Sequence, residues 1–202
     1  MLAFDPNNQT ERANYKLLIG TVIPRPIAFI TTKSKDGIVN AAPFSYFNIA
    51  ATEPPMLSVS LQRKNGAHKD TAKNIIETGE FVIHIVDVDN VAEVNKTSAN
   101  LPSDENEVDL TNLELIPSDK VNVPAIKNSR ARYECTLEKV VELGPDGKTT
   151  SDFVFGKIVQ FHIAEEIYEA GRINYDELKA VSRLAGHDYA NVGEVFSIER
   201  PK

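Results

Sequence analysis

One cysteine in 202 residues, Cys135, leaves no partner for an intramolecular disulfide, and the expectation is a reducing, cytoplasmic compartment. No apolar run approaches the roughly 20 residues that span a bilayer. The opening stretch MLAFDPNNQT has neither a basic leader nor an apolar signal core. Positive charge is in deficit: 22 Lys and Arg stand against 29 Asp and Glu, a formal net charge of -7. An extended nucleic-acid surface or an anionic membrane would repel such a chain, so neither is expected as a partner. Several chemical signatures are missing too. The ten glycines form no Gly-x-Gly-x-x-Gly and no Walker lysine loop, so a nicotinamide nucleotide would have to bind without a Rossmann domain. His68, His84, His162 and His187 are isolated, without a close helical pair or a Cys-x-x-Cys, and each reads as a surface or satisfied core residue rather than a metal ligand. There is no Gly-x-Ser-x-Gly elbow, and Cys135 falls on the apolar side of a strand, where a buried, inert thiol is expected.

What is present is mostly β pattern. Hydrophobic content of 42% and charged content of 25% are ordinary, and the length suits one domain, 1–202, with a substantial core. The first twenty residues read as an arm. Pro26 to Thr32 is a β-branched run closed by Asp36-Gly37, a hairpin signal. After Pro54-Pro55 a strand alternates, with Leu57, Val59 and Leu61 on one face and Met56, Ser58 and Ser60 on the other. A helix is predicted from Asp70, as N-cap, to Thr78, with Ala72, Ile75 and Ile76 on its inner side and Gly79 as its C-terminal cap. Phe81 to Val86 reads as a strand buried on both faces, and Val91 to Ala99 as a second short helix. Pro102 to Asp109, with Asp104, Glu105, Glu107 and Asp109, reads as a solvated loop. Arg130 to Leu143 alternates as a long half-buried strand, with Ala131, Tyr133, Cys135, Leu137, Val141 and Leu143 inward, Glu134 outward and Val140 the exception. A Gly-Pro-Asp-Gly turn returns the chain as Phe153 to Ile163, and the remainder reads as a wrapping tail. Many short strands and two evident helices indicate a mainly β protein, a barrel rather than a doubly wound sheet.

The chemistry concentrates between Gly37 and Thr71. Arg63, Lys64, His68 and Lys69 place positive charge just before the helix that opens near Asp70 and Thr71, where N-terminal amides suit a phosphate monoester. Phe44, Tyr46 and Phe47 supply aromatic surface, and Ser45, Asn48, Ser58 and Ser60 supply polar groups beside it. A phosphorylated, planar, aromatic ligand needs this mixture, and flavin mononucleotide, FMN, satisfies it.

The stretches Arg25-Pro26-Ile27-Ala28-Phe29-Ile30, Asn40-Ala41-Ala42-Pro43-Phe44-Ser45-Tyr46-Phe47-Asn48, Lys69-Asp70-Thr71 with Asn74-Ile75, and Thr78-Gly79-Glu80-Phe81-Val82, closed by Arg183-Leu184-Ala185-Gly186 and Tyr189, resemble the flavin reductase-like, FMN-binding split-barrel family that includes flavoredoxins. Ala41 stands where that family often has Leu, and Ala185 where it often has Gly. The resemblance implies a split β-barrel with Greek-key connections, a homodimer, and FMN held non-covalently near the subunit interface. It places Phe44 to Asn48 along the flavin, Ser58 and Ser60 within its reach, Lys69 to Thr71 on the phosphate, and Arg183 and Tyr189 over the site. Backbone amides of Asn40 to Ala42 are the suggested donors to the flavin ring. The expected activity is an FMN-dependent oxidoreductase, with NAD(P)H as transient co-substrate and a small molecule or protein as electron acceptor. The alternatives are an electron carrier or a plain FMN-binding protein.

Overall fold

The computed structural model describes every residue except Asn100, Ser103 and Lys202, so Ser103 of the acidic segment lies outside the described residues. The strands are β1 (Arg25–Pro26), β2 (Ala28–Lys33), β3 (Val39–Phe44), β4 (Phe47–Thr52), β5 (Pro55–Gln62), β6 (Glu80–Ile85), β7 (Leu115–Ile116), β8 (Ala125–Ile126), β9 (Ala131–Leu143), β10 (Ser151–Ile163), β11 (Tyr168–Glu169), β12 (Arg172–Ile173), β13 (Val181–Arg183) and β14 (Tyr189–Asn191). Helices α1 (Glu11–Thr21), α2 (Asp70–Thr78), α3 (Val91–Lys96) and α4 (Tyr175–Leu178) complete the frame, with three short 3-10 turns. No described helix is long and apolar enough to cross a membrane.

Seven strands form one antiparallel sheet in the order β3-β2-β6-β9-β10-β5-β4. Hairpins β2/β3, β4/β5 and β9/β10 are stitched together by the long-range pairs β2/β6, β6/β9 and β10/β5. The outermost strands, β3 and β4, are consecutive in the chain and separated only by Ser45 and Tyr46. Three peptide units reach about 11 Å at most, so the two edges of the sheet must come round to meet. The result is a barrel left open along one seam, the split barrel that the family resemblance implies. Its interior holds Ile30, Phe44, Val59, Leu61, Ile75, Phe81 and Val154.

Local chemistry explains where strands bend. Leu137 pairs with Gly156 and Lys139 with Phe155, leaving Glu138 as an extra residue. This bulge reverses the inside-outside phase. Val140, the exception to the alternation, therefore packs against the core, and Leu143, predicted inward, is exposed. A Cβ on Gly156 would stand 2.2 Å from Phe81 Cζ, so only glycine lets β10 lie across β6 there.

Four further expectations are corrected. The N-terminal arm contains an eleven-residue helix, α1, whose Thr10 hydroxyl accepts from Ala13 N–H. Only Ile19 of it is buried, so its hydrophobic pattern is weak. Helix α2 begins one residue earlier than an Asp70 cap implies: Lys69 is the N-cap, and Asp70 is the first helical residue. Its buried positions are Thr71, Ala72, Asn74 and Ile75, while Ile76 is exposed. Gly79 closes it at φ +76, the left-handed cap expected. Helix α3 ends at Lys96, short of Ala99. Glu134, predicted outward, is fully buried: its carboxylate accepts from the backbone N–H groups of Asp119, Lys120 and Val121 and bonds His162 Nε2 at 2.6 Å.

Candidate functional site

The seam between β3 and β4 opens into a cleft centred on Phe44 and Lys69. Phe44 is buried at the end of β3, and Lys69 Nζ lies 5.4 Å from its ring centroid, a cation-π distance. The Lys69 ammonium remains reachable from solvent, but the cleft walls strip enough water to hold its pKa below the usual lysine value, and Lys64 adds repulsion. No side chain caps the first turn of α2. Its leading amides therefore face the cleft without an internal partner.

Three cavities meet at Pro43, Phe44 and Lys69. One of about 500 Å³ runs along the start of α2, between Asn40, Ala42, Asp70, Thr71 and Glu107. A second, of about 710 Å³, reaches Ser45, Asn95, Arg183 and Tyr189. The third, of about 270 Å³, is lined by Arg25, Tyr46, Ser60 and Arg183. Across Ser45, Tyr46 and Ser60 lies a fourth, largely apolar hollow of about 430 Å³, between Leu18 and Val22 of α1 and Phe47, Asn48, Ser58 and Phe153.

Most of the residues singled out in the sequence therefore converge on this seam, but several have other duties. Asn40 Nδ2 donates to the Thr71 hydroxyl at 2.8 Å and to that of Thr32 at 3.3 Å, and Thr71 is 2% exposed. Their side chains build the floor beneath α2. Ser58 donates to Asn48 O at 3.3 Å, and Asn48 Oδ1 accepts from Ile49 N–H, so this pair is largely self-satisfied. Ser60 shares a 2.6 Å hydrogen bond with Ser151.

The basic loop divides. Arg63 is removed from the site: its guanidinium forks onto Asp152 at 2.7–3.1 Å and reaches Glu142 at 2.9 Å. His68 Nδ1 lies 2.8 Å from Asp152 Oδ2, which Arg63 Nε also reaches. Burial works to raise the Asp152 carboxyl, but the hydrogen bonds from Arg63 and His68 outweigh it and keep the carboxyl below its ordinary range. Arg63 serves Asp152, a residue far away in sequence, and no local pattern around position 63 signals that.

Glu107 is the residue that the sequence reading placed in solvent. It is 8% exposed, and its carboxylate accepts from Ala41 N–H at 3.0 Å. Burial pushes its pKa up; the Ala41 bond opposes this, and Asp70 adds repulsion. The Ala41 amide, suggested as a flavin donor, is thus already engaged. Arg25 was singled out only as part of a motif, yet it joins the N- and C-terminal walls of the cleft. Its Nη1 donates to Ile19 O and Val22 O at the end of α1, and its Nη2 to Leu184 O.

Arg183 stacks 4.5 Å from the Tyr189 ring and donates to Gly186 O and Asp188 O, while Tyr189 Oη donates to Asn95 Oδ1 at 3.0 Å. The turn's left-handed residue is Gly186, at φ +59, and Ala185 needs no such backbone. Among the described residues, two groups of three side chains lie close enough for a metal, His68-Glu142-Asp152 and Asp119-Glu134-His162. Both Asp152 oxygens and both Glu134 oxygens already carry hydrogen bonds. His84, 1% exposed, is satisfied by Phe29 O and Ile126 N–H, and burial lowers its pKa to about 3. Burial likewise raises the Cys135 thiol far above its ordinary pKa.

The comparisons with known proteins bear on this geometry. Residues 19–179 match the family model described as a flavin reductase like domain. The uncharacterized protein YwrF of Bacillus subtilis is 48% identical, with 100% of each chain covered. The crystal structure of nitrilotriacetate monooxygenase component B from Bacillus cereus superposes with a TM-score of 0.96 at 51% identity, covering 98% of each chain. A Shewanella frigidimarina protein with a split barrel domain gives a TM-score of 0.85 over 100% of both chains, and at 20% identity it speaks for the fold alone. With its seam, its cleft and this match over most of its length, the chain belongs to the flavin reductase-like family.

Proposed function

We propose that the cleft binds FMN non-covalently and that the protein is an NAD(P)H-dependent oxidoreductase delivering electrons to a flavin-using acceptor. The observation that carries this reading is Lys69: a partly desolvated cation at the uncapped start of α2, directly over the aromatic ring of Phe44. A phosphate there would meet one ammonium and the first amides of a nine-residue helix. The apolar and aromatic seam, Pro43 to Phe47, offers a surface to a planar ring. These residues fit the group.

When bound, FMN supplies hydride acceptance and one- or two-electron release. The chain's own residues do the rest. Lys69 and the α2 amides hold the phosphate, Phe44 to Phe47 orient the ring, and the Arg183-Tyr189 loop covers the seam. Glu107 holds the Ala41 backbone in place, and no side chain is asked to act as general acid or base. The acceptor suggested by the Bacillus cereus relative, named as component B of a monooxygenase, is an oxygenase component. A cytoplasmic location suits such a partner.

The same reading includes a homodimer. The apolar hollow beside α1 and the exposed Val195, Phe196 and Ile198 of the tail leave hydrophobic surface that a second copy would cover. Anaerobic titration tests the whole proposal. Purified protein should be yellow, release FMN on denaturation, and bleach with NADH or NADPH. Failure to take up FMN sinks the flavin reading, and bleaching only by a reduced redox protein would favour a carrier. Sedimentation over a dilution series should show dimers, with flavin affinity falling as they dissociate; a monomer that keeps FMN would remove the shared site.

A further inference from the structure

Most cations whose contacts stand out in this protein have anionic partners. Arg63 pairs with Asp152 and Glu142, Arg130 with Asp87 and Asp89, Lys96 with Glu93, and Lys127 with Glu114. Arg132 and Lys33 meet only backbone carbonyls, and three further cations without an anionic partner line one cavity together. Among the described residues no carboxylate lies within ion-pair distance of Arg25, Lys69 or Arg183, and no Asp or Glu lines the 270 Å³ chamber they share. Arg25 is 7% exposed, and its charge is met only by the carbonyls of Ile19, Val22 and Leu184; its buried Nε has no hydrogen-bond partner. A buried guanidinium without a counter-charge is costly in a closed protein. Arg183 is likewise met only by carbonyls and a tyrosine ring. Tyr15, Tyr46, Ser60 and Gln62 add neutral polar groups to the walls.

We propose that the Arg25-Lys69-Arg183 chamber is a second anion subsite, distinct from the phosphate seat at the start of α2, and that it receives the diphosphate of the dinucleotide reductant. The assignment of reductant rests on the function proposed above; the electrostatic argument for an anion does not. The α2 side of Lys69 carries Asp70 and Glu107 beside Lys64 and His68, whereas the charged groups lining the chamber side are all cations. Two anionic groups placed on opposite sides of Lys69 would set a reductant beside the Phe44 seam. Arg25 would also couple occupancy to the walls, because it ties α1 to the Leu184 turn.

The test uses the full-length, FMN-loaded protein and ADP-ribose, which carries the diphosphate but has no hydride to give. Calorimetric titration at low ionic strength should show binding to the wild type. Arg183→Gln should weaken it about tenfold or more, the loss expected for one charge-assisted hydrogen bond, and should weaken it more than it weakens FMN binding. Arg25→Lys should act in the same direction, but Arg183→Gln, at the end of β13, decides the matter if the Arg25 variant does not fold. Absence of ADP-ribose binding at millimolar concentration overturns the proposal. So does an equal loss of FMN and ADP-ribose affinity, which would make the chamber the flavin phosphate's own seat. If pyrophosphate binds with the same arginine dependence and ADP-ribose does not, the dinucleotide assignment falls. Should the protein take up no FMN, the functional reading fails by itself, and the ADP-ribose titration on flavin-free protein still decides the chamber.

Discussion

Two buried glutamates show how differently this fold treats its charges. Glu134, on the sheet, accepts from the backbone N–H groups of Asp119, Lys120 and Val121 and bonds His162. Burial pushes its carboxyl up, but these bonds outweigh burial and keep it below the ordinary range. Glu107, at the cleft, has the Ala41 N–H at 3.0 Å, and there burial wins. The number of donors decides the sign. The same division separates Arg63, locked onto Asp152, from Lys69, which faces the cleft without a carboxylate. Charges that the fold satisfies internally serve stability, and charges left short of partners mark where a ligand is expected.

Removing a satisfied charge should therefore cost most. Glu134→Ala leaves three backbone amides, that of Val121 buried, and His162 without their acceptor, and is expected to destabilise the protein by about 3–5 kcal/mol, the range for breaking a buried polar pair. Urea unfolding measures this, and a loss under about 1 kcal/mol would mean that the 118–122 loop does not depend on the carboxylate. On the cleft side the effect should move from stability to ligand. Lys69→Ala is expected to weaken FMN binding by about 1–3 kcal/mol with little change in unfolding. Arg63→Ala should do the reverse, and equal effects of both variants on flavin affinity would erase the distinction drawn between them.

The smallest effect, and the sharpest contrast, lies in pH. The ordinary glutamate value here is 4.5. Glu134 has a depressed folded pKa, so its contribution is present above 4.5 and lost as pH falls through the folded value. Glu107 has a raised folded pKa, so its contribution is present below 4.5 and lost as pH rises through the folded value. Subtracting the stability of each Gln variant from wild type should thus give curves of opposite slope, Glu134 changing below pH 4.5 and Glu107 above it. Parallel curves would show that both carboxylates have the same environment in solution.

Much of this was legible from residue order. The Asp36-Gly37 turn, the Leu57-Val59-Leu61 alternation, the strand buried on both faces at Phe81 to His84 and the Gly79 cap all appear as the pattern indicates. Local periodicity and turn chemistry act over a few residues, and a sequence displays them directly. Helix α1 was hidden because it buries one residue and so carries almost no apolar stripe, although its Thr10 cap was there to be read.

The tertiary structure alone decided which charges face which partners. Nothing near position 107 distinguishes Glu107 from Asp104 or Glu105, yet it is the one that meets the Ala41 amide, 66 residues away in sequence. Arg63 and Lys69 look equivalent in a basic loop until β10 brings Asp152 beside one of them. Arg25 gains its place only when α1 and the Leu184 turn, 159 residues further along the chain, close over it. Hydrophobic pattern is written along the chain because a strand or helix repeats every few residues. Electrostatic partnership depends on distance in space, which is fixed only when the two edges of the sheet come together.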